Sequence, residues 1–141
     1  MKTILVTLTF LVTTTLFAQD KYDKFMQKIN VENEIRGFVN NYIDQLASKS
    51  NGIDANQWDD IKIRIDYSPY LLGIKAVLVN NYTTKELDEI VQANDIVSPV
   101  NDTGQFIFKP KPVVKEQFYN ISRSFGKIIN IQIKKQIEKL N

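Results

Sequence analysis

The last part of the chain carries an apolar pattern that constrains the fold more than any other feature. From Pro112 to Lys139 the apolar residues recur three or four positions apart, which places them on one side of an α-helix. Pro112 suits the first helical position, because the N–H that proline lacks would have no partner there. We therefore predict one long helix with an inward apolar stripe, formed by Val114, Phe118, Ile121, Phe125, Ile128, Ile129, Ile133 and Leu140.

The same periodicity predicts two consecutive helices near residues 20–29 and 32–48. Asn30 separates their apolar sets, so we expect a break or a register shift at that residue. Gly37 costs about 1 kcal/mol of helix propensity, and we expect it to mark the close approach of another helix. The apolar sets are Tyr22, Phe25, Met26 and Ile29, followed by Ile35, Phe38, Val39, Tyr42, Ile43 and Leu46.

Residues 58–67 fit two patterns after a turn at Ser50-Asn51-Gly52. Three isoleucines and a tyrosine alternate with charged residues, which by period alone favours a strand. Trp58, Ile61 and Ile65 also share a helical face, and Asp54 is a good N-cap for a helix. We predict a helix here, since no partner strand is evident.

A nearly uniform apolar segment follows, and it predicts a buried helix. Ser68 is a suitable N-cap, and Pro69 suits the first helical position. From Tyr70 to Val79 the segment is apolar nearly all round, a pattern typical of a helix buried on every side. We therefore expect this helix at the centre of the domain.

The stretch from Tyr82 to Leu87 is typical of a helix start. Thr83 and Glu86 have the spacing of a capping box, in which each side chain accepts a hydrogen bond from the backbone of the other. Tyr82 and Leu87 have the spacing of a hydrophobic staple. We assign Thr83 and Glu86 a structural role as a cap, and we expect Thr83→Ala to lower stability without affecting partner binding.

Residues 95–112 form the least regular part of the sequence. Ser98-Pro99, Asp102-Thr103-Gly104 and two further prolines interrupt this stretch. We predict a long connection in which Phe106 and Phe108 need to be covered by other apolar residues.

Composition excludes several classes of chemistry. The chain contains no cysteine and no histidine, so it lacks thiol nucleophiles, thiolate metal sites and the usual acid–base group of enzymes at neutral pH. Two groups of carboxylates could serve as acids or bases: Asp59, Asp60 and Asp66, or Glu86, Asp88 and Glu89. Asp59 and Asp66 are expected on one helical face. No nucleophile is evident near them, so we predict no enzyme, no cofactor and no metal site.

The distribution of charge and the first residues indicate where the protein acts. Residues 1–18 have a lysine followed by an uncharged apolar run and Ala18-Gln19, which is typical of a signal peptide. The run is too short for a membrane span. Residues 109–141 carry eight Lys or Arg and two Glu, which we interpret as the solvated face of the last helix rather than a surface for anionic lipid. Export and the near-neutral total charge disfavour nucleic-acid binding.

The order of these signals resembles the domain of unknown function 2059 family, which consists of exported bacterial proteins. The resemblance covers nearly all of residues 19–141, although Ala93-Asn94 stands where the family usually has a Phe-Tyr pair. It implies an all-helical envelope domain and supplies no catalytic residues. The matching features are the helix led by Trp58, the apolar helix from Pro69, the Tyr82-Thr83 helix start, Ser98-Pro99 with Gly104, and the long helix from Pro112.

Together these features predict an all-α, single-domain helical bundle of about six helices at residues 19–141, after a signal peptide at residues 1–18. We expect a periplasmic or secreted bacterial protein without a transmembrane helix, with a structural or protein-interaction role in the cell envelope. The alternative is a carrier or sensor that binds an apolar, lipid-like ligand between helices. The residues expected to line that site are Phe106, Phe108, Phe118, Phe125 and the Pro69–Val79 segment.

Overall fold

A computed structural model describes residues 21–97 and 108–140, and all regular secondary structure in these ranges is helical. The all-α class is therefore confirmed. Residues 21–28 are also helical and are called the N-terminal helical segment below. The predicted signal peptide, Phe106 and the Ser98–Gly104 turn lie outside the described residues. The five helices with defined bounds are α1 (Val31–Ala47), α2 (Ala55–Ile63), α3 (Ser68–Asn81), α4 (Thr84–Val97) and α5 (Pro112–Ile137).

Local sequence signals explain most of these helix boundaries. Asn30 has a φ of 58° and separates the N-terminal helical segment from α1, which confirms the predicted break. Gly52 has a φ of 105° in the turn before α2. Asp54 caps α2 in a full capping box, because Asp54 Oδ1 accepts from the Gln57 N–H at 2.9 Å and Gln57 Oε1 accepts from the Asp54 N–H at 2.9 Å. Pro112 opens α5 as predicted.

The helix predicted at residues 58–67 is shorter than expected. It ends at Ile63, and residues 65–67 connect it to α3 without helical structure. Ile65 and Tyr67 are buried, whereas Ile63 is 78% exposed. The alternation after Ile63 therefore reflects a non-helical connection that buries Ile65 and Tyr67 and leaves Asp66 exposed.

Helix α3 is not buried on every side, which corrects the prediction for this segment. Ile74 and Leu78 are buried, but Leu72 is 66% exposed. The helix also begins one residue earlier than expected, at Ser68. Its first N–H is satisfied by the preceding connection, because Asp66 Oδ1 accepts from the Ser68 N–H at 2.9 Å. Hydrogen bonds from Ser68 hold the pKa of the Asp66 carboxyl below its usual value.

The ends of α4 and α5 also differ slightly from the predictions. Helix α4 continues to Val97, into the stretch predicted to be irregular, because no helix-breaking residue precedes Ser98-Pro99. Helix α5 ends at Ile137 rather than near Lys139. Leu140, which was assigned to its apolar stripe, follows the helix and is exposed.

The chain forms two compact units. Of the described residues, the first unit contains 21–30, 75–97 and 108–110. Its core draws on the N-terminal helical segment, α3 and α4, with Phe25, Leu78 and Leu87 buried. Tyr22 Oη donates to the carbonyl oxygen of Tyr82 at 2.7 Å. This buried hydrogen bond satisfies a carbonyl just after α3, where no helical partner exists.

The second unit contains Val31–Ile74 and Lys111–Asn141, and its core lies where α2 packs against α1 and α5. Gln132 on α5 supports the connection before α3 with two hydrogen bonds: its Oε1 accepts from the Asp66 N–H at 2.8 Å and its Nε2 donates to the Asp66 carbonyl at 3.1 Å. The buried core consists of Val39, Ile43, Trp58, Ile61, Ile65, Tyr67, Phe125, Ile129 and Ile133.

Tyr67 connects several parts of this core. Its ring centroid lies 6.1 Å from that of Phe125, and the Arg36 guanidinium lies over the ring at 4.4 Å from the centroid. Burial raises the pKa of the Tyr67 phenol, while the charge on Arg36 acts in the opposite direction. The ring therefore contributes apolar contact area and a cation–π contact to the core.

The prediction for Gly37 was wrong, and a different glycine allows a close helix approach. A Cβ atom at Gly37 would meet nothing within 4 Å. A Cβ atom at Gly73 on α3 would lie 3.2 Å from Cγ2 of Ile121 on α5. Glycine lowers helix propensity equally at Gly37 and at Gly73. The two positions differ only in whether another helix packs against them.

Candidate functional site

The structure contains the reciprocal hydrogen bonds expected for the capping pair. The Thr83 N–H donates to Glu86 Oε2 at 2.7 Å, and the Glu86 N–H donates to Thr83 Oγ1 at 3.2 Å. Tyr82 and Leu87, which flank this pair, are both buried. Glu86 is therefore engaged in starting α4, and the arrangement leaves it a structural role.

Asp59 and Asp66, two of the carboxylates considered for acid–base chemistry, are also engaged in structural contacts. Asp59 on α2 accepts from Lys62 Nζ at 3.0 Å, and Asp44 on α1 accepts from the same nitrogen at 2.7 Å. Hydrogen bonds to Asp44 and to Asp59 raise the pKa of Lys62. Asp66 lies in the connection after α2, so Asp59 and Asp66 do not share a helical face as predicted.

The aromatic residues predicted to line an apolar site are not all in one place. Phe108 is half-buried in the first unit, where its ring centroid lies 5.1 Å from that of Phe25 and 6.0 Å from that of Tyr82. Phe118 and Phe125 belong to α5 in the second unit. Of these residues only Phe125 lines the groove described next.

An open groove of about 730 Å³ lies between α1 and α5 in the second unit. Its floor is apolar and continuous with the core, because Val39, Phe125 and Ile129 are buried there. Phe38 stands at its edge with 74% of its surface exposed. The lining residues are Glu34, Ile35, Phe38, Val39 and Tyr42 from α1, Tyr70 from α3, and Ser122, Arg123, Phe125, Gly126, Lys127, Ile129 and Asn130 from α5.

Polar contacts connect the helices that form the groove. Tyr42 Oη donates to Asn130 Oδ1 at 2.7 Å, which joins α1 to α5. The hydroxyl oxygens of Tyr70 and Ser122 lie 3.5 Å apart, and the Tyr70 ring centroid lies 5.2 Å from that of Phe125. These contacts hold the Tyr42 and Tyr70 rings among the residues that line the groove.

Gly126 keeps the groove open along α5. It lies in the middle of the helix, and a Cβ atom there would meet nothing within 4 Å. Glycine at such a position costs about 1 kcal/mol relative to alanine. No packing contact in the described residues offsets this cost, and the missing side chain leaves space in the groove.

The charged residues of the groove are unevenly distributed. Arg123 and Lys127 are one helical turn apart on α5, whereas Glu34 is the single charged lining residue of α1. Within the described part of the chain, none of these three side chains forms an ion pair. The α5 edge of the groove is therefore a basic edge above an apolar floor.

The sequence did not reveal this groove. Ile35, Phe38, Val39 and Tyr42 have uniform helical spacing, so periodicity assigned them to a single apolar set. The only local signals at the site are Gly126 in the middle of a predicted helix and two cations four residues apart. Neither signal identifies a groove without knowledge of which helix packs beside α5.

No protein-family model, curated protein or solved structure that was compared with the chain matches it. None of the described helices is both long and apolar enough to cross a membrane. The groove is thus characterised by its own geometry and chemistry.

Proposed function

We propose that this protein is a non-catalytic, exported domain of the bacterial cell envelope that binds another protein through the α1–α5 groove. The observation that carries the proposal is the groove itself, an apolar opening with Phe38 exposed at its edge. A large aromatic side chain left in solvent next to an apolar floor is a feature of protein-binding surfaces.

The composition of the groove supports a protein partner. Aromatic residues and arginine are enriched in protein interfaces and carry much of their binding energy. Phe38, Tyr42, Tyr70, Phe125 and Arg123 supply this composition in one place. The groove is also open, so a small ligand would remain partly in solvent, whereas the surface of a partner protein would cover the opening.

Two other parts of the proposal, export to the envelope and a role without catalysis, rest on features outside the groove. Residues 1–18 have the pattern of a signal peptide, and the resemblance to the domain of unknown function 2059 family implies an envelope protein. Asp59, Asp66 and Glu86 are engaged in an ion pair or in helix-start hydrogen bonds. The proposed activity is therefore binding, without a cofactor or a metal ion.

Site-specific photo-crosslinking in living cells tests this proposal. A photoreactive amino acid at Phe38 should give a discrete protein adduct. The matched control is Ile63, which is also apolar, highly exposed and in the second unit, but does not line the groove. A position-38 adduct that is absent at position 63 supports the proposal, and equal labelling or no labelling at both positions contradicts it.

A second candidate function is a carrier or sensor for an apolar ligand. The groove volume of about 730 Å³ falls within the range of small-molecule pockets, roughly 300–1,000 Å³. Native mass spectrometry of protein purified from its own envelope separates the two functions. A stoichiometric lipid that is lost in a Gly126→Leu variant would favour the ligand function over the protein partner.

A further inference from the structure

We infer that the α1–α5 groove accepts an amphipathic helix whose polar face is acidic. This inference rests on the proposed function and specifies the partner's chemistry. The groove runs along two helices, and it presents apolar side chains between helical walls, the arrangement that receives a helix in other helix-in-groove interfaces. A third helix laid on α1 and α5 would cover Phe38 and the apolar floor together.

The length of the groove fits a short helical segment. Its α1 wall extends from Glu34 to Tyr42, eight residues on, which corresponds to about 12 Å at 1.5 Å per residue. This distance matches about two turns of a partner helix, enough for apolar anchors at positions i, i+3 or i+4, and i+7. Gly126 in the facing wall permits a close approach because its missing side chain leaves open space.

Charge complementarity determines which charge the polar face of the partner helix carries. Arg123 and Lys127 form the basic edge and have no ion pair in the described residues, while Glu34 is the single acidic lining residue. Acidic residues on a partner helix would meet the basic edge at the same one-turn spacing. A basic helix would be repelled by two cations and attracted by one carboxylate.

The test uses the full chain and three synthetic probes. Each probe is a stapled helix of about 16 residues with the same leucine face and a polar face made of Glu, Gln or Lys. Fluorescence anisotropy at low salt should show the Glu helix binding at least about tenfold more tightly than the Lys helix. The difference should shrink as salt is raised, because exposed charges are screened.

Groove variants show whether the probes bind at the predicted place. Gly126→Leu should reduce binding of every probe by more than about tenfold by filling the groove, since a Cβ atom there meets no protein atom. Gly37→Leu is the matched control: it is also an open glycine position inside a helix, but it lies outside the groove lining. Circular dichroism should show that both variants keep their helical content.

Charge variants test the preference for an acidic helix. The double variant Arg123→Gln with Lys127→Gln should weaken binding of the Glu helix about three- to tenfold. Glu34→Gln should strengthen its binding by a smaller factor. Lys135→Gln with Lys139→Gln removes the same charge outside the groove lining and should change binding less than twofold.

The opposite outcomes have separate meanings. Equal binding of all three helices, blocked by Gly126→Leu, would overturn the acidic preference and leave the proposed protein-binding function intact. Dodecanoate is added as a fourth probe that represents an apolar ligand. Binding of dodecanoate but of no helix, also blocked by Gly126→Leu, would overturn both proposals in favour of the apolar-ligand function. If no probe binds, the inference fails, and the position-38 crosslink still decides the proposed function by itself.

Discussion

Helices α1 and α5 present two adjoining apolar surfaces that differ in how they are covered. One surface, with Ile43 and Ile133, packs against Trp58 and Ile61 of α2 and forms the core of the second unit. The other, with Phe38 at its edge, forms the groove and has no helix laid on it within the described residues. The same helices therefore supply both the core of this unit and its proposed binding surface.

The difference shows that the width of an apolar arc carries information that its period does not. Phe38 and Ile43 are five residues apart, which separates them by about 140° around the helix. A single neighbouring helix covers less than this arc. An apolar face this wide therefore needs a second element packed on it, or part of the face stays exposed. In α1, Ile43 at one end of the arc packs in the core, and Phe38 at the other end lies at the edge of the groove.

The largest effect on stability should come from truncating a residue on the core-facing surface of α1. Ile43 is completely buried, so Ile43→Ala loses its apolar contacts and leaves a cavity. We expect the free energy of unfolding to fall by about 2–5 kcal/mol, measured by urea denaturation. A loss below about 1 kcal/mol would mean that the core and the groove side of α1 are equally open.

A smaller loss of stability is expected for a residue that maintains local structure and is not part of the groove lining. Thr83→Ala removes the cap of α4 and should lower the free energy of unfolding by about 1 kcal/mol, again measured by urea denaturation. Binding of the Glu helix should be unchanged, because Thr83 is not a groove residue. A variant of normal stability that no longer binds would instead give this capping stretch a functional role.

Glycine variants should separate open positions from packed ones. Gly126→Ala should raise the free energy of unfolding by up to about 1 kcal/mol, because it gains helix propensity and meets no neighbour. Gly73→Ala should gain less or lose stability, since its Cβ atom would crowd Ile121 at 3.2 Å. Thermal melts of both variants should show this order, and the reverse order would mean that the groove is closed at Gly126 in solution.

Sequence reasoning predicted the features that depend on neighbouring residues. The helical class, the break at Asn30, the Asp54 cap and the Pro112 start follow from backbone and side-chain preferences within a few positions. The Thr83–Glu86 hydrogen bonds belong to the same kind of feature. Each depends on local geometry, which a pattern of residue types contains.

The features that sequence reasoning missed depend on distant packing. The apolar content of α3 indicated burial on every side, but Leu72 is exposed, because a helix is buried only where other elements cover it. Gly37 and Gly73 look alike in sequence, and only the position of Ile121 distinguishes them. The double hydrogen bond between Gln132 and the Asp66 backbone joins residues that are 66 positions apart.

The smallest effect on stability should come from the most exposed large apolar residue of the groove. Phe38 is 74% exposed, so Phe38→Ala removes little buried area and gains helix propensity. We expect a change in the free energy of unfolding within about 0.5 kcal/mol. The same variant should lose most binding of the Glu helix, because exposed aromatic residues are frequent anchors at interfaces.

The decisive experiment measures both the free energy of unfolding and the affinity for the Glu helix in Phe38→Ala, with Ile63→Ala as the control. Both residues are apolar and highly exposed in the second unit, so both substitutions should leave the urea midpoint nearly unchanged. Only Phe38→Ala should weaken the Glu helix, because Ile63 does not line the groove. A large loss of stability in Phe38→Ala would place this residue in the core of the solution structure, and the distinction between the covered and the open side of α1 would no longer hold.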